Sequence, residues 1–463
     1  MEYRVTEHRA NGAAGGPWAT RHMGKVTSAV SNGHACRTLS AYESLVRCLS
    51  DRLVEAQRPI RILDAIKWDD DIERAFFAQG CRELPAVTRD YYLKRPLPFE
   101  PEEKLHELHA IERDIRRQLG EFNAPGQIMS RMCQEYREVV RLLKHRGTRA
   151  FAETSERLYG SASDSFHAGD PNLADLGHMM SDILDNLSHE AIFGKEEETL
   201  DAPQTVALLT ERLSSYFGDP QAVRVQLSDG IVADAAAGSD YLKIRNNARF
   251  TPREVRLLEV HEGWVHLATT LNGQHQPVCT FLSKGPPSST ITQEGLAVIM
   301  EIMAFASHPA RVRRLTNRIE GVALAEAGAN FLEVYRYFLQ EGYDAHESYQ
   351  HTMRIFRGSL PENCGPFTKD LCYSKGFVLV YNYIRLAVSR GLVRRVPLLF
   401  CGKTTLADIK MIAQMVEEGL VVPPRFVPPQ FADLHALSAW MCYANFLNRL
   451  SLKRIEEDYA GLF

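Results

Sequence analysis

The string His261-Glu262-Gly263-Trp264-Val265-His266 lies inside a helix-like run, TPREVRLLEVHEGWVHLATTL, and restricts what that run can be. Thr251, Pro252 and Glu254 predict the N-cap, first and third positions of a single helix. Two imidazoles with a carboxylate beside the first are what a hydrolytic zinc site needs. Zinc takes His nitrogen, three protein ligands leave a fourth position for water, and the neighbouring carboxylate can take a proton from that water. The familiar metalloprotease string, however, spaces its histidines four apart on one helix face. Five apart is about 500° of turn at roughly 100° per residue, which points the second ring about 140° away from the first. Both rings reach one metal only if the helix widens locally into a π-type turn with i→i+5 pairing. Gly263, which carries no Cβ, eases that distortion. The alternative is a regular helix with one buried and one surface histidine and no metal.

A third ligand has to come from elsewhere. ITQEGLAVIMEIMAFA (291–306) reads as a buried helix on which Glu294 and Glu301 share a face, seven residues apart. A carboxylate in so apolar a stretch is costly unless it is paired or binds metal. Glu294 is the candidate third ligand, and Glu301 reads as a helix-end group or a support for the ligands. His275 and His308, which flank this segment, read as ordinary surface histidines. HESYQH carries His346 and His351 five apart as well, but no second QEGLA-like string follows it, so these read as ordinary helix histidines. Downstream, Arg354 and Arg357 precede a Gly/Pro loop and FTKDLCYSKG. A guanidinium fork suits a carboxylate. Arg354, Arg357 and Lys369 are therefore candidates for binding a carboxylate of a substrate, and Tyr373 for hydrogen-bonding a tetrahedral oxyanion. For each of them the competing reading is a surface ion pair.

A chain of 463 residues can hold two or three domains. Residues 1–38, rich in Gly, Ala, Ser and Thr, read as disordered; 39–200 as a helical N-terminal region; 201–390 as a catalytic region; and 391–463 as a C-terminal helical segment with no evident chemistry. Asn123-Ala124-Pro125-Gly126 reads as the close of a long helix over 102–122. AVRVQLSDGIVAD (222–234) reads as short strands with a Ser-Asp-Gly turn. YLKIRNNARFT (241–251) reads as another alternating strand, and 241–248 as an open edge that could pair with an extended peptide. A net charge of −4 gives no general pull towards nucleic acid. Nine cysteines, an odd number without CxxC pairs, argue against a disulfide framework and fit a reducing cytoplasm. The N-terminus lacks the apolar core of a signal peptide, and no apolar run is long enough to span a membrane. There is no P-loop, nucleophile elbow or dinucleotide fingerprint.

LEVHEGWVH (258–266) and TQEGLAVIME (292–301) resemble the corresponding strings of the flavohemoglobin expression-modulating QEGLA-motif family, which includes the microtubule-associated tyrosine carboxypeptidases. KIRNNARFT (243–251), GPPSSTITQEGLA (285–297) and RGSLPENCGPFTKDLCYSKG (357–376) extend the likeness, at the level of layout, over roughly residues 40–450. The resemblance implies one Zn2+ per chain held by His261, His266 and Glu294, with Glu262 as general base. It implies an α+β, mainly helical fold with a gluzincin-like metallopeptidase core and a small β-sheet beside the metal-site helix. It also implies a zinc metallocarboxypeptidase that removes a C-terminal, aromatic or bulky, residue from a peptide or protein. Two other readings remain open at this point: a non-catalytic metal-binding regulator, and a metal-dependent hydrolase of another amide.

Overall fold

Helices dominate the architecture, and two small sheets sit beside the HExxxH segment. A computed structural model describes residues 38–187, 199–219, 221–229, 231, 234–459 and 461. The N-terminal segment expected over 1–38 therefore lies almost wholly outside the described residues. Ala41–Phe463 form one compact unit. No described helix is long and apolar enough to cross a membrane.

Ala41–Gln57, Pro101–Leu119 and Ala124–Lys144 pack against one another at the N-terminal end. Asn123 does not close the helix before it. It caps the next one, its side chain accepting from the Gly126 N–H, with Pro125 in the first turn. Asn-Ala-Pro-Gly carries both start and stop signals, and the proline, whose missing N–H costs nothing in a first turn, decides for the start.

Two apolar clusters stand out among the described residues of the remainder. One is aromatic, with Phe76, Phe331, Phe338, Tyr349 and Phe356 wholly or almost wholly buried. The other packs Leu209, Leu213 and Phe217 against Leu242, Ile244 and Val255. It lies under the sheet made by β2 (Arg224–Ser228), β3 (Ala235–Ala237) and β4 (Tyr241–Arg245); β1 (Leu200–Asp201) and β5 (Arg249–Phe250) form a separate antiparallel pair. β4 is the middle strand, parallel to β2 and antiparallel to β3. This corrects two expectations. β2 and β3 are not a hairpin around the Ser-Asp-Gly turn, since β4 lies between them. Residues 241–248 are not an open edge. The alternation that buries Leu242 and Ile244 reports one covered face, and it carries no information about which strands lie alongside.

Thr251 caps the run that follows, with Glu254 completing the reciprocal capping box. The helix is α from Pro252 to Leu258, π from Glu259 to Leu267, and α again from Ala268 to Gln274. The Pro287–Met303 helix faces it, and the Cys372–Ser389 helix packs on the Pro287–Met303 helix in turn. That last contact is unusually close. A Cβ on Gly295 would lie 2.0 Å from the carbonyl carbon of Gly376, and a Cβ on Gly376 would lie 2.0 Å from the Ile291 carbonyl oxygen. Two glycines thus let two backbones touch, which brings residues 369–373 up to Glu294.

Candidate metal centre

The π segment does what five-residue spacing demands. With i→i+5 pairing the rings of His261 and His266 converge, with centroids 4.8 Å apart and Nε2 atoms 3.2 Å apart. Glu294 from the facing helix completes a triangle, its Oε2 lying 3.4 Å from His261 Nε2 and 3.5 Å from His266 Nε2. Among the described residues these three are the one group of His, Cys, Asp and Glu whose donor atoms cluster as a metal site would require. A tetrahedral zinc with ligands at about 2.0–2.2 Å sets its donor atoms roughly 3.3–3.5 Å apart, so the triangle has the right size. Glu294 Oε2 is buried without a hydrogen-bond partner, which a buried carboxylate tolerates when it ligates a cation. Two imidazole nitrogens and one carboxylate oxygen are also a donor set that zinc accepts. The residues present fit the ion.

A second tier fixes the first imidazole. His261 Nδ1 is 2.6 Å from Glu301 Oε1, and the Arg311 fork donates to both oxygens of Glu301 at 2.9 and 3.1 Å. With Nδ1–H committed to Glu301, the lone pair on Nε2 faces the centre of the triangle, the usual carboxylate–histidine arrangement behind a metal. Burial alone would lower the pKa of His261, but Glu294 and Glu301 outweigh it and raise it to about 10. For Glu301, burial opposes ionisation while Arg311 and His261 overcome it, taking the carboxyl down to about 2. Burial likewise opposes ionisation of Glu294, and Lys369 with the two imidazoles holds it well below the usual carboxylate range. A pocket that stabilises a proton between carboxylates in this way also stabilises a divalent cation at the same point, and the two compete.

Glu262 is half-buried on the same turn and turns towards the sheet, where its Oε2 accepts from the Ala237 N–H at 3.2 Å. β3, not β4, is thus the edge beside the HExxxH helix.

Lys369 and Tyr373 reach the triangle. Lys369 Nζ is 3.5 Å from Glu294 Oε1, and the Tyr373 ring lies 6.2 Å from the His261 ring, nearly parallel to it. Arg354 stands further back, with its fork taken by Asp370 in two bonds of 2.8 and 2.9 Å. Arg357 is buried over the Phe367 ring, and its Nε has no hydrogen-bond partner. Two arginines that the sequence reading did not single out belong here. Arg311 and Arg318 both sit over Tyr373, at 5.6 and 5.3 Å from the ring centre. Arg318 meets Asp370 only at 3.9 Å, and its Nε also has no hydrogen-bond partner. Burial, followed by the neighbouring Arg354, lowers both Arg318 and Arg357 to about 10. Their signal in the sequence was slight: Arg311 and Arg318 are seven apart and share a helix face with the buried Leu315 and Val322.

Among the described residues no other histidine joins this group, and His308, expected at the surface, is half-buried at the start of the Pro309–Glu326 helix. His275 is exposed at a helix end, and His346 and His351 lie on a regular α-helix, Ala345–Phe356.

A family model described as "Microtubule-associated tyrosine carboxypeptidase" matches residues 74–449, most of the chain and all of the residues above. No curated protein matches the chain. A solved structure of a protein from Colwellia psychrerythraea, described as a lipoprotein, is similar over 75% of this chain and 72% of that one, at 12% identity and a TM-score of 0.40.

Proposed function

The chain belongs to the microtubule-associated tyrosine carboxypeptidase family, and from that premise we propose that it is a zinc-dependent carboxypeptidase with a gluzincin-like core, its metal held by His261, His266 and Glu294. The observation that carries this reading is the triangle of three donor atoms 3.2 to 3.5 Å apart, one of them a buried carboxylate oxygen without another partner. Three protein donors are also the number that leaves a fourth position for water, as catalytic zinc sites do and closed structural sites do not. That favours a hydrolase over a purely regulatory protein.

Zinc bound there supplies a Lewis acid and brings the pKa of a water towards ~7. Glu262 accepts the proton of the attacking water as the C–O bond forms, and hands it to the amine nitrogen as the C–N bond breaks. An extended substrate would run along the outer edge of β3, past the Ala237 N–H that donates to Glu262. Tyr373, whose ring lies 6.2 Å from the His261 ring, would donate to the tetrahedral oxyanion.

A carboxypeptidase must also read a terminal carboxylate. Around Tyr373 the largely buried cations Arg311, Arg318, Arg354, Arg357 and Lys369 outnumber their anionic neighbours, Glu301, Asp370 and Glu294. Asp370 already occupies the fork of Arg354, so Arg318 and Arg357 are the groups with donors to spare, and Lys369 is the cation nearest the triangle. A substrate carboxylate supplies the missing charge. Beside Lys369 opens a cavity of about 180 Å³ that Ile60, Leu63, Tyr136, Val139 and Pro287 line. The buried hydroxyl of Tyr136 has no partner, so this cavity suits a bulky terminal side chain with a polar tip.

The test compares zinc-loaded protein on peptides with free and with amidated C-termini. Free peptides should lose their last residue, and amidated ones should react about thirty-fold or more slowly, because leaving a buried cation without its anion costs roughly 2–5 kcal/mol. Equal cleavage of both overturns the carboxypeptidase assignment. Cleavage of neither by zinc-bound protein favours the regulator.

A further inference from the structure

The loop after the Val393–Phe400 turn, CGKTT, shows no chemistry in sequence, yet it sends one side chain into the site. Its main chain is pinned to the 282–285 segment, where the Lys403 N–H donates to the Leu282 carbonyl at 2.7 Å. From there the Lys403 ammonium runs inward and meets three neutral acceptors: the His266 carbonyl at 3.0 Å, Thr269 Oγ1 at 3.1 Å and Gln293 Oε1 at 3.1 Å. Thr269 Oγ1 itself donates to Gln293 Oε1 at 2.7 Å, which closes the network.

The location of these acceptors is the informative part. The π segment ends at Leu267, one residue past His266. The His266 carbonyl sits at that boundary and takes side-chain donors from Thr270 at 2.7 Å as well as from Lys403 at 3.0 Å. Gln293 is the residue before Glu294. One ammonium thus grips the main chain of a ligand on one helix and the neighbour of a ligand on the facing helix. A buried ammonium with no hydrogen-bonded carboxylate is costly, and a methionine would fill the same space without that cost. The charge is explained if it does something packing cannot.

We infer that Lys403 is a positioning residue that holds the π turn of His266 and the helix of Glu294 in the register the metal needs. This rests on the reading of the triangle as a metal centre. It assigns the C-terminal loop a part in that centre, through Lys403, without contact to metal or substrate.

The test uses full-length Lys403→Met and Lys403→Arg, with Gln293→Met as an independent break at the other end of the network. Zinc affinity comes from chelator competition, and hydrogen exchange is followed on the metal-free proteins. We expect Lys403→Met and Gln293→Met each to weaken zinc about 10–100-fold, the scale of losing support behind a metal ligand. Their double variant should be little worse than either. Lys403→Arg should recover part of the affinity. Exchange should quicken over 259–270 and 287–297 and stay unchanged over 331–338 in the aromatic cluster. Wild-type zinc affinity in a folded Lys403→Met protein overturns the inference, as does unchanged or uniformly faster exchange. If the wild-type protein binds no zinc, the metal-centre reading fails by itself, and the exchange pattern alone decides the clamp.

Discussion

The chain contains two histidine pairs five residues apart, and they have opposite fates. His261 and His266 ride a π turn, face each other with Nε2 atoms 3.2 Å apart, and meet Glu294 from a second helix. His346 and His351 ride a regular α-helix and part. His346 is exposed and leans tilted against Phe77, its Nδ1 3.3 Å from Glu73 Oε1; His351 stacks on Phe338 with its Nδ1 shut off from water. The divergence of roughly 140° that five residues of α-helix impose is thus present in one pair and removed in the other. Spacing does not make a site. A site needs a backbone that widens and a partner helix close enough to present a carboxylate, and the Gly295–Gly376 contact and the Lys403 network belong to the first pair alone.

The largest expected effect tests the comparison directly. His261→Ala with His266→Ala should lose bound zinc entirely, and His346→Ala should keep one zinc per chain. Metal analysis of the wild type and of both variants decides this, and equal zinc in all three proteins breaks the contrast. Next comes Glu262→Gln, which is nearly isosteric but cannot take a proton. It should keep its zinc and lose about 10²–10⁴-fold in kcat, the usual worth of a positioned general base. Loss of metal in that variant would make Glu262 a ligand or support instead. A third test targets the partner helix. Gly295→Ala drives a methyl into the Gly376 backbone, which cannot yield as a side chain tip would. The variant should be destabilised by about 3 kcal/mol, at the upper end of ordinary overpacking. A melting temperature like that of the wild type would mean that the close approach is dispensable.

How much of this was legible beforehand divides along contact range. The π turn followed from arithmetic on His261 and His266, and the capping box from Thr251 and Glu254, because both are local. Glu294 was visible as a carboxylate in an apolar helix. Arg311, Arg318 and Lys403 were not. Each is one basic residue among many, and only packing across tens or hundreds of positions distinguishes it. The edge strand was misplaced for the same reason. Tyr241–Arg245 has the alternating look of a strand, whereas the true edge, Ala235–Ala237, is three alanines with little strand preference that pair because β4 is there.

The smallest expected effect separates the two pairs by their response to acid, with the metal-free protein throughout. His261 has a folded pKa raised to about 10, against an unfolded value near 6.5. Its contribution is fully present below about pH 6.5 and fades as pH rises through the folded value. His351 has the reverse sign. Burial, helped by Arg318 and Arg354, takes it down to about 3. Between about pH 6.5 and that value the unfolded chain binds a proton that the folded one refuses, so this residue costs stability as pH falls, by at most about 1.4 kcal/mol per pH unit. His351→Phe keeps a ring to stack on Phe338 and removes the titration. Denaturant melts at pH 7.5 and 5.5 should show the variant losing less stability on acidification than the wild type, with little difference between them at the higher pH. Parallel losses in the two proteins would mean that His351 reaches water in the fold, and the second pair would then no longer be the buried, metal-free counterpart of the first.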